Sequence, residues 1–468
     1  MPNAKRTRLL LAALLTTAVV GAASTVWQVQ AGFQAAPATG PAASAQWSGS
    51  MVLRNDGTAP ATVVLNFYAA DGALVKSYTV PGTVPPKGTI TVDTEAIPEL
   101  PAGFLGSAVV SSNQPISATW LGFDPGNPEV NRTLYNGFVE GARTVFMPSI
   151  SSGYNDQTST IAVQNTENSP ASITMRLFER FSGTLAAQFS DTLPANASHY
   201  YDVSNLPAGI SLAPPWTGSA LVESTGARLA VAVHQPRLSS AGASVFEGVA
   251  GGGTSVYFPS VLYLNGPRGM TTNLSVQNTA NAPANVDVTF YNPNGTPAGV
   301  GRVALGPYQK QNVTPAAAGL PGGWSGSAIA RSGVGIAAVA NTNGAELSTA
   351  YAGAIVAAPR GSLPLIRWAA PGDARGLRTT IEVLNADPGL TADITIKYYD
   401  QGGTLVNAPA FRNVPPAGKV THSPGEFVGD GAFNGTAEVE ASRGVVAVVS
   451  AVSVDGASME TYSSMPIP

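Results

Sequence analysis

The amino-acid sequence predicts an all-β protein made of four tandem β-sandwiches. One pattern recurs four times along the 468 residues: an alternating apolar run ends on an asparagine, a turn follows, and a second alternating run ends at a glycine. The chain holds 51 Gly and 37 Pro with only 11% charged residues. This composition favours many short strands and turns over helices.

The recurring asparagines set the length of the repeat. They are Asn55, Asn165, Asn278 and Asn385, which are 110, 113 and 107 residues apart (165−55, 278−165 and 385−278). A unit of about 110 residues fits an immunoglobulin-like sandwich. An asparagine at a strand end can hydrogen-bond the neighbouring loop backbone, so we expect a structural role for these residues rather than ligand binding.

The strand after each asparagine alternates between two faces. Val63, Leu65 and Phe67 and their counterparts are apolar and predict the face that fills the core between two sheets. The opposite face carries polar side chains typical of a solvated surface: Asn66, Arg176, Thr289 and Lys397. One aromatic residue in each copy directly follows a core position and should also face outward. These four are the candidate ligand or partner contacts: Tyr68, Phe178, Tyr291 and Tyr399.

A second element follows about 50 residues after each asparagine. It reads FLGSAVV, WTGSALV, WSGSAIA and FNGTAEV in the four copies. Its glycine predicts close approach of another backbone, and the aromatic residue two positions earlier can cover the end of the core. The four glycines are Gly106, Gly218, Gly326 and Gly435.

The predicted organisation is a signal segment, a leader and four repeats. Residues 1–31 are the signal, residues 32–45 an Ala-, Pro- and Gly-rich flexible leader, and the repeats are residues 46–144, 145–255, 256–361 and 362–468. Short apolar segments at 145–150, 256–261 and 362–366 predict opening strands rather than loose linkers. Such short junctions predict a semi-rigid rod, on the order of 150 Å long for sandwiches stacked end to end.

The two ends of the repeat array differ from its middle. The final residues, 463–468, resemble the opening strand of a fifth repeat, whereas the first repeat lacks an apolar opening strand after its leader. A free strand at one end and an incomplete sandwich at the other would suit strand donation between molecules. The favoured alternative is that the tail completes its own fourth repeat as an edge strand.

The N-terminus predicts export. A basic stretch, MPNAKRTR, precedes an apolar run, and Val29-Gln30-Ala31 supplies a small-x-small site that predicts cleavage after Ala31. The alternative is an uncleaved anchor, because Leu9 to Val26 spans 18 residues, barely enough to cross a bilayer. In either case the repeats are predicted to be extracellular or at the cell surface.

The composition argues against several kinds of chemistry. Cysteine is absent, which excludes disulfides and thiolate chemistry. A net charge of −4 offers no basic surface for nucleic acid. The three histidines, His199, His234 and His422, are spread over different repeats, and no motif of catalytic or metal-binding spacing is present. We therefore expect neither an enzyme nor a cofactor.

The pattern from Val52 to Gly72, repeated from Val276 to Gly295, resembles the CARDB-type and related immunoglobulin-like domains of bacterial and archaeal surface proteins. The W-x-G-S-A element is similar to that of tandem repeats in uncharacterised secreted bacterial proteins. The resemblance implies an extracellular, non-catalytic, adhesive or scaffolding role, and it supplies no functional residues.

The sequence therefore predicts an exported structural or adhesive rod whose partners are envelope or matrix components. A carbohydrate-binding array that uses the outward aromatic residues is the first alternative, and a filament subunit that assembles by strand donation is the second. Polysaccharide and other copies of the chain are the corresponding partners. Contact with a membrane is expected only through an uncleaved N-terminus.

Overall fold

The computed structural model describes residues 25–27, 48–101, 104–123, 132–239, 242–373 and 375–467. Strand makes up 63% of the structure and helix 3%, which confirms the all-β class. Every repeat has the same two antiparallel sheets. We name the two sheets by what they contain. The hairpin sheet contains the β-hairpin that follows the recurring asparagine, and the asparagine sheet contains the strand that ends on this asparagine.

Repeat 1 defines the pattern. Its strands are β1 (Thr25–Trp27), β2 (Ser48–Asn55), β3 (Val63–Ala69), β4 (Leu74–Thr79), β5 (Thr89–Asp93), β6 (Gly106–Ser112), β7 (Ile116–Phe123) and β8 (Arg132–Asn136). The hairpin sheet has the order β1-β6-β3-β4, and the asparagine sheet has the order β5-β2-β7-β8. A short 3-10 helix, Thr94–Ala96, follows β5.

Repeat 2 repeats this order and adds one short strand at its end. Its strands are β9 (Thr144–Ser152), β10 (Thr160–Asn165), β11 (Ala171–Glu179), β12 (Leu185–Leu193), β13 (Ser198–Asp202), β14 (Trp216–Thr225), β15 (Leu229–Pro236), β16 (Ala243–Glu247) and β17 (Val249–Ala250). The sheets are β12-β11-β14-β9-β17 and β13-β10-β15-β16. A 3-10 helix spans Pro207–Gly209.

In repeats 3 and 4, one long strand serves both sheets. Repeat 3 consists of β18 (Gly253–Tyr263), β19 (Thr271–Asn278), β20 (Ala284–Tyr291), β21 (Pro297–Leu305), β22 (Lys310–Val313), a 3-10 helix (Ala316–Ala318), β23 (Trp324–Asn343) and β24 (Ser348–Ala352). Repeat 4 consists of β25 (Ala358–Trp368), β26 (Leu377–Asn385), β27 (Ala392–Asp400), β28 (Leu405–Asn407), β29 (Ala410–Val414), β30 (Lys419–His422), α1 (Gly425–Val428), β31 (Phe433–Ser453), β32 (Met459–Ser463) and β33 (Met465–Pro466). The long strands are β23 and β31.

The predicted alternation places the core residues correctly. Side chains that were expected between the two sheets are at most 1% exposed: Val63, Leu65, Phe67, Ile173, Met175, Leu177, Val286, Val288, Phe290, Ile394, Ile396 and Tyr398. The segments predicted to open repeats 2, 3 and 4 lie within strands β9, β18 and β25.

The four repeats close into a ring rather than a rod. Strand β8 contacts β16, β16 contacts β24, β24 contacts β32, and β32 returns to β8. These equivalent strands surround a central axis, so the first and last repeats are neighbours. The expected rod is therefore wrong. The physical reason is that outward-facing side chains are buried against a neighbouring repeat instead of facing water: apolar ones such as Val52, Ala232 and Leu384 pack there, and polar ones such as Gln277 hydrogen-bond there.

Hydrogen bonds to the hairpin turn join the repeats at every junction; the donor is a backbone N–H at three of them and the Gln309 side-chain amide at the junction of repeats 2 and 3. The hairpin turn of one repeat accepts a bond from the following repeat, and the fourth repeat pairs in this way with the first. The bonds are Ser198 N to Ala70 O at 3.1 Å, Gln309 Nε2 to Phe181 O at 2.8 Å, Lys419 N to Pro293 O at 2.9 Å and Thr89 N to Gln401 O at 3.0 Å. The last of these bonds closes the ring.

The junction between repeat 4 and repeat 1, which we call the closing junction, has a buried ionic group at a position where the other junctions have uncharged residues. Arg54 is fully buried there; its guanidinium pairs with Asp56 and lies 2.9 Å from Glu438 Oε2. Arg360 and Lys87 also pair with Glu438, at 2.6 Å and 3.1 Å. By strand register, the residues that replace Arg54 at the other junctions are Gln164, Gln277 and Leu384. The closing junction is therefore ionic at this position and the other three are not; the junction of repeats 3 and 4 has a separate buried ion pair, Lys419 with Glu382, and Lys419 Nζ donates to Gly326 O of repeat 3 at 3.0 Å.

The C-terminal tail belongs to its own repeat. Strand β33 pairs with β25, with Met465 opposite Ser362 and Pro466 opposite Gly361. Strand β17 makes the equivalent pairing with β9 in repeat 2. The tail is thus an edge strand of repeat 4, as the favoured alternative predicted.

Candidate functional site

The four recurring asparagines are fully buried and hold loops. In each repeat, the side-chain amide donates to a backbone carbonyl in the loop that follows the asparagine. It also donates to a backbone carbonyl at the end of the hairpin's second strand or just after it. The side-chain oxygen accepts from the backbone N–H two residues later. Asn165, for example, donates to Ser169 O at 2.7 Å and accepts from Glu167 N at 3.0 Å. This geometry leaves no side-chain group of Asn165 for a ligand.

The four recurring glycines lie where two strands touch. A methyl group at Gly106, Gly218, Gly326 or Gly435 would overlap the carbonyl oxygen of the neighbouring strand and the ring of the aromatic residue two positions earlier. The following hydroxyl residue points to the next repeat, and it donates to a backbone carbonyl there. These bonds are Ser107 to Asn196 at 3.4 Å, Ser219 to Tyr308 at 2.9 Å, Ser327 to Ala417 at 3.4 Å and Thr436 to Lys87 at 2.9 Å.

All four candidate aromatic residues lie on the outward side of their strands, and three of them contact the following repeat. Phe178 is 6% exposed and stacks on Tyr308, with ring centroids 5.1 Å apart. Tyr291 packs beside Leu384, and the Arg54 guanidinium lies 5.8 Å from the centre of the Tyr399 ring. Tyr68 is half-buried, and its carbonyl is the one that approaches Gly106. The ring therefore places three of the four at junctions between repeats.

A concave surface with several polar side chains, a groove of about 490 Å³, lies at the junction of repeats 1 and 2. Strands β12 and β13 supply most of it, because they are the outer strands of the two sheets in repeat 2 and the chain crosses from one sheet to the other between them. The lining residues are Ala70, Asp191, Ser198, His199, Tyr200, Tyr201, Asn205, Leu206 and Pro207.

Three polar side chains converge in this groove. His199 Nδ1 lies 2.7 Å from Asp191 Oδ2, and the Tyr201 hydroxyl donates to the same oxygen at 2.8 Å. Alternation along the strands puts His199 and Tyr201 on one face of β13, and Phe189 on the face of β12 that carries Asp191. Phe189 packs on the Tyr201 ring at 5.1 Å. The carboxylate is therefore held in place from two sides.

The electrostatics of the groove favour an ionised Asp191. Burial alone would raise the pKa of Asp191, but the hydrogen bonds from His199, Tyr201 and the Thr192 N–H outweigh it and lower that pKa. Burial and the contact with Asp191 raise the pKa of Tyr201, so its hydroxyl stays a donor. The groove thus offers a fixed anionic acceptor beside an imidazole and an aromatic ring.

The groove lacks the arrangement needed for nucleophilic catalysis. Ser198 is adjacent to His199, and adjacent residues on a strand point to opposite faces, so the hydroxyl is not directed at the imidazole. Among the described residues, no group of three or more His, Asp and Glu could hold a metal ion. The polar groups of the groove are suited to bind a ligand by hydrogen bonds.

The other two histidines are in separate places. His234 is buried in β15, where burial lowers its pKa to about 3. His422 is also buried, its Nδ1 lies 2.8 Å from the Tyr398 hydroxyl, and its pKa is lowered by burial. The structure does not bring the three histidines together.

No sequence pattern marks Glu460, a buried carboxylate beside the closing junction. Glu460 on β32 is 1% exposed. Burial raises the pKa of Glu460 to about 7, although Arg132, Ser458 and Arg367 act in the opposite direction. Because the native state binds this proton more tightly than the unfolded chain, stability falls as the pH rises from about 4.5 to about 7 and is constant above that range.

We predict that Glu460→Gln removes this pH dependence. At pH 8.5 the variant should be more stable than the wild type by about 3 kcal/mol, the equivalent of the shift from 4.5 to about 7, and at pH 4 the two should be equal. Urea unfolding at both pH values measures this. Glu346→Gln, at a carboxylate that is 74% exposed, is the control and should change little. Equal stabilities of Glu460→Gln and the wild type at pH 8.5 would contradict the prediction.

Comparison with known proteins places residues 142–412 in a family of unknown function, DUF5719. The chain belongs to this family, since the match covers more than half of it. No curated protein matches the sequence.

Among solved structures, the chain is similar to that of Thermotoga maritima 1070, with 23% identity over 22% of this chain and 94% of the other, at a TM-score of 0.20. It is also similar to the full-length RrgB pilus protein from Streptococcus pneumoniae, with 10% identity over 95% and 93% of the chains and a TM-score of 0.10. Neither score supports a transfer of function. The resemblance to CARDB-type domains stays a prediction.

The part of the chain that the structure describes contains no helix long and apolar enough to cross a membrane. The predicted signal segment and leader lie outside the described residues, apart from 25–27.

Proposed function

We propose that the chain is a non-catalytic, exported structural or adhesive protein, a closed ring that presents its outer strands and loops to envelope or matrix components. One observation carries the proposal: the residues that recur in all four repeats are used by the scaffold. Asparagines hold loops, glycines admit a neighbouring backbone, and hydroxyl groups join one repeat to the next. What recurs along this chain builds a rigid ring.

Envelope binding tests this proposal. Purified protein is mixed with envelopes isolated from the producing cells, and the mixture is centrifuged. We expect the protein to sediment with the envelopes at physiological salt and to be absent from the pellet without them. Protein that stays in the supernatant in both cases, or that turns over an envelope polymer, contradicts the proposed role.

The groove favours a second candidate function, the binding of a neutral polysaccharide. Sugar hydroxyl groups pair well with a fixed carboxylate and an imidazole. In this version the ligand contacts are Asp191 and His199 instead of the four recurring aromatic residues, and the buried Tyr201 holds Asp191 in place. A filament built by strand donation finds less support, because the tail strand β33 already pairs within its own repeat.

We predict that Asp191→Asn weakens retention on an insoluble polysaccharide roughly tenfold, because an amide accepts hydrogen bonds less strongly than a carboxylate. Co-sedimentation with cellulose and with chitin measures the retention. Tyr291→Ala and Tyr399→Ala form the comparison, since the aromatic-array hypothesis requires both to abolish retention. Loss of retention in the two tyrosine variants but not in Asp191→Asn would rule out the groove.

A further inference from the structure

The opening strand is present in all four repeats, contrary to the expectation that the first repeat lacks one. In the hairpin sheets of repeats 2, 3 and 4, the opening strands β9, β18 and β25 pair with β14, β23 and β31, respectively. In repeat 1, β1 takes this place and pairs antiparallel with β6, with Thr25 opposite Val110 and Trp27 opposite Ala108. The strand was missed because it lies upstream of the leader, inside the predicted signal segment.

The register shows that β1 is an equivalent strand and not a chance contact. Ala108 is the second residue after its recurring glycine, and its counterparts are Ala220, Ala328 and Ala437. Opposite these four alanines stand Trp27, Met147, Phe258 and Leu363. Met147, Phe258 and Leu363 are fully buried in their sandwich cores. Repeat 1 therefore has a large apolar residue at the position where the other repeats have one.

Cleavage after Ala31 conflicts with this arrangement. It would remove β1 from the exported protein and leave β6 as an open sheet edge, with one side of the first sandwich uncovered. An open, unpaired edge of this kind invites pairing with other chains. The other three repeats cover the same edge with their own opening strand.

The sequence just before β1 offers another processing site. The apolar run from Leu9 to Val20 is 12 residues long, within the usual range for the apolar region of a signal peptide. Gly21-Ala22-Ala23 follows it and supplies small residues at both recognition positions. We propose that a signal peptidase cleaves after Ala23, so that the mature chain begins at Ser24 and keeps Thr25–Trp27 as its first strand.

The N-terminus of the exported protein tests the processing site. The full chain, with its own N-terminus, is expressed in a bacterium that exports it, and the product outside the cytoplasm is examined by intact mass and N-terminal sequencing. We expect a start at Ser24. A start at Gly32 overturns this site, and an exported chain that still begins at Met1 overturns cleavage itself. A chain found only in the cytoplasm would contradict export, on which this inference rests.

Two matched variants sharpen this test. Ala23→Phe puts a large residue at the cleavage position, and we expect the precursor to accumulate. Ala31→Phe makes the same change at the alternative position, and we expect processing to continue, with the product heavier only by the substitution. Processing that is blocked by Ala31→Phe but not by Ala23→Phe overturns the proposal.

A second pair of variants tests the retained strand. Trp27→Asp in the full chain should shift the thermal unfolding midpoint of the exported protein down by several degrees, and the milder Trp27→Ala by less. Phe33→Asp makes the same kind of change in the leader and should leave the midpoint unchanged. Equal midpoints for Trp27→Asp and the wild type would show that Thr25–Trp27 is not part of the ring.

Discussion

Replacing Arg54 with alanine is expected to lower the free energy of unfolding by about 3–5 kcal/mol, because the buried carboxylate of Asp56 loses its cation and that of Glu438 loses one of three. The guanidinium is fully buried at the closing junction, where it pairs with Asp56 and Glu438 and donates to Ser362 Oγ at 2.9 Å and Thr436 Oγ1 at 3.2 Å. Without the guanidinium, Asp56 keeps only the hydroxyl groups of Ser117 and Ser362 and has no cation beside it, whereas Glu438 keeps Arg360 and Lys87. Urea unfolding at pH 7 measures the difference.

An exposed ion pair is the control. Arg302 lies 3.3 Å from Asp287, and both side chains are more than half exposed. Arg302→Ala should therefore cost no more than about 1 kcal/mol. If Arg54→Ala and Arg302→Ala cost the same, the closing junction does not depend on its ionic group.

A triple variant distinguishes the cost of leaving a buried charge without its partner from the net contribution of the whole ionic group to stability. Arg54→Leu, Asp56→Ala and Glu438→Ile together copy the junction of repeats 3 and 4, where Leu384, Ala386 and Ile329 stand at these positions. Replacing a buried ionic group by packed apolar residues is often neutral or stabilising, so the triple variant should regain most of the stability that Arg54→Ala loses. The charges would then specify which repeats join, since the other three junctions have no matching ion pair at this position.

The stability of the closing junction should also depend on pH. Although burial opposes it, the hydrogen bonds and charges of Arg360 and Arg54 lower the pKa of Glu438 to about 2. The unfolded chain binds this proton more tightly, so the contribution of Glu438 is fully present above about pH 4.5 and is lost as the pH falls toward 2. The Glu438→Ile triple variant should lack this dependence.

The sequence predicts the individual repeat well because the signals are local. Alternation places Leu65 or Ile396 in the core, and an asparagine at a strand end predicts the loop that it holds. The strands themselves follow from a period of two and from turn residues. The all-β class and the core positions could therefore be obtained without a structure.

Closure of the ring was missed because its contacts join surfaces far apart in the chain. Arg176 was assigned to a solvated face, yet its guanidinium lies 5.7 Å from the ring centre of Tyr308 in the next repeat. One signal was available in LAVAVHQP, an apolar run without alternation that predicts a strand covered on both faces. All eight residues of this strand, β15, are buried. A rod of separate sandwiches would expose one face of it.

The groove could not be found from the sequence. Asp191 and His199 are on two strands of different sheets, and their contact depends on the turn that brings the outer edges of those sheets together. No motif marks the pair, and by register the positions of His199 in repeats 1, 3 and 4 are occupied by Ile90, Gln311 and Val420. A pair of side chains that is present in one repeat only is not revealed by comparing the four repeats.

Replacing Gly326 with alanine is expected to lower the free energy of unfolding by about 3 kcal/mol, a large effect for one methyl group. The new carbon would overlap the carbonyl oxygen of Tyr291 on the paired strand and the ring of Trp324. The carbonyl belongs to a strand that is bonded on both sides, in the sheet order β21-β20-β23, so it cannot move away without loss of ladder hydrogen bonds. Thermal and urea unfolding measure the cost.

Gly333 provides a control within the same strand, β23. A carbon added there would meet nothing within 4 Å, so Gly333→Ala should change stability by no more than about 0.5 kcal/mol. A similar cost at both positions would mean that the loss at Gly326 comes from backbone flexibility and not from the close approach. A cost confined to Gly326 would instead show that this glycine is needed because the two strands leave no room for a side chain. The same change at Gly106, Gly218 and Gly435 should then cost a similar amount, because each faces the same carbonyl contact in its own repeat.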